Sequence, residues 1–387
     1  MAEYSDVNED SDVYYSGIYW NDYEVVGRRW NEWISGDPDR DWFEHFAAQF
    51  RPPFTRALVL NCGNGWVERD LVGRGHIKEA VGTDYAQDLL DQALTAARNE
   101  GLPLTYHRAN INTDPLPPGE FDLVINHAAG HHITALDRVF REICRVLPED
   151  GWFVHLDYVG PHRNQYRLDA WESLTSLNRQ LPEHLRQTLA YPSLPVMLVV
   201  DPTEAVHSEL ILETFHRYFS EAQFTPLGGA IAYPLLTHNP QMWNATDEVE
   251  RARWIERILE ADDLFLAEHP DSTLFAYFAG QPKKAVLEKC DVLDEWSAEE
   301  AQREQRARRH GGEYYERNPL AAALAALEEE KTAHAGSRAR ADQLEAELGA
   351  VQSGYLYSRV RRAADSGVVR RLRANRHVAR LERRWRG

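Results

Sequence analysis

Short apolar runs alternate with amphipathic stretches through the first 160 residues. Ala57–Leu60 is a continuous apolar run that reads as a buried strand, and Asn61-Cys62-Gly63-Asn64-Gly65 ends it in a turn of small residues. Trp66–Val72 then resumes with helical spacing. Glu79–Asp84 predicts a second strand that ends in an acid, Leu104–His107 a third, and Phe121–Asn126 a fourth that leads into His127-Ala128-Ala129-Gly130-His131-His132. Leu136, Val139, Phe140, Ile143, Val146 and Leu147 form one helix face, stopped at Pro148-Glu149-Asp150-Gly151, and Trp152–Val159 is a fifth strand. Beyond residue 160 the pattern is looser. It predicts helix over Trp171–Leu189, a buried apolar segment over Leu194–Val200, and a capped helix over Asp201–Tyr218. A sixth strand is expected at Phe224–Leu236 and a last strand at Leu274–Ala279. Between them lies a helix over Asp247–Ala267, with Trp254, Ile255, Ile258, Leu259 and Leu264 as its apolar stripe.

Strands alternating with helices at this spacing predict an α/β fold, a Rossmann-like, mostly parallel sheet covered on both faces. Such sheets bind ligands outside the carboxyl ends of their strands. The candidate site is therefore Asn61–Gly65, Asp84 and Tyr85, Asn110 and Ile111, Asn126–His132, and Asp157–His162. The turn Asn61–Gly65 selects among ligands. It lacks the third glycine of a dinucleotide fingerprint and the Lys-Ser/Thr of a phosphate loop. Asp84 lies 19 positions after Gly65, where these folds place a carboxylate on the ribose hydroxyls. The expectation is a nucleoside site without pyrophosphate, of which S-adenosylmethionine is the common ligand.

With these motifs the chain resembles the class I, seven-stranded, S-adenosylmethionine-dependent methyltransferases, over about residues 15–285. Closer likeness is to bacterial members found with glycan and glycosyltransferase genes. It lies in Tyr19-Trp20, Ser35-Gly36-Asp37-Pro38, Asp41-Trp42 and Asp201-Pro202-Thr203-Glu204-Ala205. The resemblance implies that Asp84 holds the ribose, that Asn110 and Ile111 face the adenine, and that Gly63, Asn64 and Gly65 pass beneath the methionine moiety, with Asn61 and Tyr85 as further cofactor contacts. Asn126 and His127 complete the expected cofactor contacts. The family often carries an acid two positions before the first glycine of the turn. Here Val59 stands there, and Asn61 replaces that glycine.

Methyl transfer to a hydroxyl requires alignment of the acceptor and removal of its proton. His131 or His132 is the expected base, with Asp157 as orienter, and His155 shares a strand face with Asp157. Tyr19, Trp20, Tyr158 and His162 are the expected acceptor contacts. No metal site is expected, because His127 and His131 lie in a loop with no cysteine partner and no HExxH pattern. The expected acceptor is a sugar or glycan hydroxyl. A specialised metabolite methylated at oxygen or nitrogen is the alternative. So is a catalytically silent scaffold subunit of a glycan-assembly complex.

Charge and cysteine content narrow the setting. The net charge is −18, which argues against nucleic acid as partner. Three cysteines give no disulfide framework, no leader pattern opens the chain, and a cytoplasmic protein is expected, with a membrane-peripheral one as the variant. Leu320–Val351 has heptad-like leucines, a candidate coiled coil for homo-oligomerisation. Eleven arginines after Tyr355 oppose only Asp365 and Glu382, a tail suited to an anionic membrane surface or a glycosyltransferase partner. The expected divisions are an N-terminal helical lid at 1–50, a cofactor-binding core at 51–160, lid insertions and last strands at 161–285, a helical linker with coiled coil at 286–352, and a basic tail at 353–387.

Overall fold

In a computed structural model, the structure describes residues 18–50, 54–194 and 203–287. The expected coiled coil, the basic tail, the Gly311-Gly312 hinge, Cys290 and most of the apolar segment Leu194–Val200 lie outside the described residues. Two N-terminal helices, α1 (Glu24–Ser35) and α2 (Trp42–Phe50), precede the sheet. The next elements are β1 (Phe54–Leu60), α3 (Trp66–Gly73), β2 (Ile77–Asp84), α4 (Gln87–Glu100), β3 (Leu104–Arg108) and β4 (Leu123–His127). They are followed by α5 (Leu136–Val146), β5 (Trp152–Tyr158), α6 (Leu168–Gln180) and α7 (Ile211–Tyr218). The last are β6 (Phe219–Gly228), α8 (Ala232–Leu236), α9 (Pro240–Trp243), α10 (Glu248–Glu268) and β7 (Phe275–Pro282).

The seven strands form one sheet in the order β3-β2-β1-β4-β5-β7-β6. β1 pairs in parallel with β2 and β4, and β7 runs antiparallel between β5 and β6. This is a seven-stranded, Rossmann-like, mostly parallel sheet. The chain reverses its direction of travel between β1 and β4, so a crevice opens at their carboxyl ends. β1 and β4 supply the continuous buried run that a doubly covered parallel strand needs: Ala57–Leu60 and Leu123–Ile125 are all at most 1% exposed.

Four expectations beyond residue 160 are corrected. The predicted helix Trp171–Leu189 ends at Gln180, because Leu181 precedes Pro182 and takes an extended backbone (ψ 149°). The predicted helix Asp201–Tyr218 begins only at Ile211, after a single 3-10 turn at Ser208–Leu210. The sixth strand is Phe219–Gly228, and the apolar Ala232–Leu236 within the predicted strand is a short helix. Asp262 on α10 causes this: its buried carboxylate accepts the N–H groups of Gly229 (2.8 Å), Ile231 (2.7 Å) and Ala232 (3.1 Å), the donors that a helix start leaves unpaired. Leu264, expected in the stripe of α10, is 71% exposed, and Phe265 is buried instead.

The N-terminal helices are fastened to the sheet. Trp30 Nε1 donates to the Leu227 carbonyl at 3.1 Å, and Arg29 pairs with Asp263. Trp20 is 2% exposed, edge-on to Trp30 and Tyr233 and beside Phe275. No described helix is long and apolar enough to cross a membrane.

Candidate active site

At the carboxyl end of β1 the backbone turns through left-handed conformations at Asn61 (φ 46°), Gly63 (56°) and Gly65 (75°). Asparagine is the non-glycine residue that best tolerates this region, so Asn61 keeps the turn without the usual glycine. Gly65 is obligatory on a second count. A Cβ there would stand 2.5 Å from the Tyr106 hydroxyl and 2.8 Å from the Ala93 Cβ. The turn is tied to β2 by Asp84, whose Oδ2 accepts the Gly63 N–H at 2.8 Å and whose Oδ1 accepts the Ala86 N–H at 2.9 Å. Burial raises the Asp84 pKa, opposed by the Ala86 and Gly63 N–H groups. The structure therefore brings together the turn and the acid that the spacing paired.

The adjoining strand end is organised by side-chain caps. Asn110 Oδ1 accepts the Asn112 N–H at 2.9 Å, and the Ile111 carbonyl accepts from Arg138. Asn112 in turn caps α5, with Oδ1 accepting from Thr134 (2.8 Å) and Ala135 (3.2 Å). The Arg108 guanidinium lies 4.7 Å over the Tyr85 ring. Beneath the turn, Glu68 on α3 is fully buried, and neither of its carboxyl oxygens has a hydrogen-bond partner of ordinary geometry. Burial pushes its pKa up to about 7 and also raises the neighbouring Cys62 thiol. Sequence reasoning missed Glu68, whose place in a helix start is ordinary.

Across the crevice, Asp157 at the end of β5 is the organising group. It is fully buried and accepts from Asn126 Nδ2 (2.7 Å), Ala129 N–H (3.1 Å), Gly130 N–H, His131 Nδ1 (2.5 Å) and Tyr158 N–H (2.7 Å). Burial alone would raise its pKa, but the charge and hydrogen bond of His131 dominate, and it lies far below the usual carboxylate range. His131 is the reciprocal case. Burial would depress it, yet Asp157 and then Glu204 hold it well above its ordinary value. Glu204 is lowered to about 2, because His131 and His132 outweigh its burial. Its Oε2 lies 3.6 Å from His131 Nε2 and 3.9 Å from His132 Nε2. Asn164 Nδ2 donates to its Oε1 at 3.1 Å, and His132 Nδ1 is 3.1 Å from Thr203 Oγ1.

The other expected residues divide. His127 is sandwiched in place, stacked 5.5 Å from Trp42 of α2 and edge-on to Trp66, and burial lowers it to about 4. Asn126 is 0% exposed, with its amide spent on Asp157. His155 is also 0% exposed, lowered to about 4 by burial, and stacked 4.5 Å from Phe278. It lies 3.5 Å from Asp157, so its burial closes it to an acceptor. Trp20 and Tyr158 are 2% and 3% exposed. Both stand in the aromatic packing rather than on an open wall, which corrects their assignment as acceptor contacts. Tyr19 lies against His238, with ring centroids 5.1 Å apart. His162 is exposed, and its Nδ1 donates to the Val206 carbonyl at 2.5 Å. Glu204 had a signal in the sequence, the Asp201–Ala205 segment, but its partners are 72 and 73 positions away. Among the described residues, two trios gather histidine and carboxylate donor atoms within 4.8 Å of one another: His131, His132 and Glu204, and His162, His207 and Glu209.

A family model described as a methyltransferase domain matches residues 58–155, from β1 to β5. The chain is 28% identical over 132 residues to an uncharacterized methyltransferase, YcgJ, of Bacillus subtilis, covering 34% of this chain and 51% of that protein. It is 32% identical over 101 residues to a mitochondrial arginine-hydroxylase, NDUFAF5, of Rattus norvegicus, covering 26% of this chain and 28% of that protein. A solved structure of the Bacillus YcgJ protein aligns with TM-score 0.36 at 17% identity, over 62% of this chain and 96% of that one. The chain thus spans about half the length of the first relative and about a quarter of the second. The matched stretch, residues 58–155, is similar to a methyltransferase domain and carries the Asn61–Gly65 turn and Asp84.

Proposed function

We propose that the protein transfers a methyl group from S-adenosylmethionine to a hydroxyl oxygen, most favourably that of a sugar or glycan intermediate. The observation that carries this reading is the cluster of His131, His132 and Glu204, organised by Asp157, across the crevice from the Asn61–Gly65 turn and Asp84. In the step, the hydroxyl oxygen attacks the methyl carbon in line, and the C–S electron pair passes to sulfur, which leaves as a neutral thioether. The hydroxyl proton must go to a group nearby. Asp157 holds His131 at Nδ1, and His131 Nε2 lies 3.6 Å from Glu204, so its part is to fix Glu204. His132 Nε2 and the Glu204 carboxylate are the groups that receive the acceptor's hydrogen bond.

The test is transfer of labelled methyl from S-adenosylmethionine by the intact chain to a panel of sugars, nucleotide sugars and small phenols or amines. Label on a sugar hydroxyl, lost in Glu204→Gln, is the expected result. A protein that binds cofactor but labels only amines, phenols or carbon refutes the acceptor assignment, and one that labels nothing favours the scaffold reading.

A further inference from the structure

Two side chains that follow β4 and one from the segment between α6 and α7 each direct one donor atom to a common centre while a neighbour holds the other. His131 directs Nε2 there, with Nδ1 held by Asp157 at 2.5 Å. His132 directs Nε2, with Nδ1 3.1 Å from Thr203 Oγ1. Glu204 directs Oε2, with Oε1 accepting from Asn164 at 3.1 Å. Holding the far atom of a ligand fixes its tautomer and aim, which is how metal-binding imidazoles and carboxylates are supported. The spacing agrees. Glu204 Oε2 lies 3.6 and 3.9 Å from the two Nε2 atoms, and all three donors fall within 4.8 Å of one another. Ligands at about 2.1 Å from one ion stand about 3.0 to 3.4 Å apart, so small side-chain rotations close the set.

We propose that His131, His132 and Glu204 form a divalent transition-metal site that binds and activates the acceptor hydroxyl. This deepens the methyl-transfer reading and rests on it for the identity of the reaction. Two imidazoles and one carboxylate suit Mn2+, Fe2+, Co2+ or Zn2+ better than the all-oxygen ions. Glu204 as a ligand and Asp157 behind His131 place two carboxyl groups beside the common centre, an arrangement suited to a divalent ion. Three protein donors leave coordination positions for the acceptor oxygen, and for a neighbouring hydroxyl of a diol. Metal-bound oxygen releases its proton to water more readily. The oxygen then attacks the methyl carbon, the C–S bond breaks toward sulfur, and the products are a methyl ether, S-adenosylhomocysteine and the released proton.

The experiment uses the intact chain stripped with chelator and titrated with Co2+, followed by visible absorption and by metal content after desalting. S-adenosylhomocysteine binding is measured on the same samples by calorimetry. One equivalent of Co2+ with visible ligand-field bands is expected, with at least tenfold weaker binding in His132→Ala and in Glu204→Gln. His207→Ala, in the second trio, is expected to keep it. No stoichiometric Co2+ in folded wild type, Co2+ binding unchanged by both site variants, or binding lost in His207→Ala overturns the proposal. Retained S-adenosylhomocysteine binding without Co2+ sinks the metal site alone. Co2+ binding without S-adenosylhomocysteine supports the metal site and removes the methyl-transfer reading.

Discussion

Glu68→Gln isolates one buried charge beneath the cofactor turn. Glu68 is 0% exposed, sits in the first turn of α3, and has its oxygens against the Tyr106 hydroxyl and the Cys62 thiol without a well-formed hydrogen bond. Burial lifts its pKa from 4.5 to about 7. The folded chain therefore keeps a proton that the unfolded chain gives up as pH rises between these values. An acid whose folded pKa is raised contributes a loss of stability with rising pH, complete above the folded pKa. A shift of this size corresponds to about 3 kcal/mol in full, most of which falls between pH 5 and pH 8. Glutamine keeps the shape and removes the titration. The assay is urea unfolding of wild type and Glu68→Gln at several pH values in that range, read by tryptophan fluorescence. The stability difference should move toward the variant by about 2–3 kcal/mol between the two ends. A difference that stays constant with pH refutes the claim that Glu68 is held protonated by burial.

Asp157→Asn should destabilise the fold by about 3–5 kcal/mol, because an amide cannot accept from both sides and leaves buried N–H groups of Ala129, Gly130 or Tyr158 facing a donor. Urea unfolding at neutral pH checks this, and a change under about 1 kcal/mol contradicts the hub role. Gly65→Ala meets a left-handed backbone as well as the Tyr106 and Ala93 contacts. It should lower the melting temperature and weaken S-adenosylhomocysteine binding more than tenfold, and unchanged binding by calorimetry contradicts the reading of the turn.

Local signals made the turn of the proposed cofactor site legible. The apolar run of β1, the small-residue turn and the 19-residue step to Asp84 are all short-range features, and the backbone follows each of them. The acceptor half was only partly legible. His131, His132 and Asp157 were placed by the rule that ligands sit at strand ends, but Glu204 joins them from a loop after β5, and nothing local marks that meeting. The sixth strand was misplaced because β6 is an edge strand in which Ser220, Glu221 and Ala222 are all exposed. Its apolar successor Ala232–Leu236 is turned helical by Asp262, about thirty positions further on. A pattern of apolar positions cannot show a cap supplied from so far away, and it cannot separate Trp20, buried against Trp30 and Phe275, from an aromatic residue on a binding wall.

The central claim is a nucleoside site built from the Asn61–Gly65 turn and Asp84. Calorimetric titration of S-adenosylhomocysteine into the intact protein tests it most directly, with Asp84→Ala as the paired variant and circular dichroism to verify folding. Saturable one-site binding, weakened at least tenfold by the substitution, is the predicted result. Well-folded wild-type protein that takes up no S-adenosylhomocysteine would contradict the account at its root.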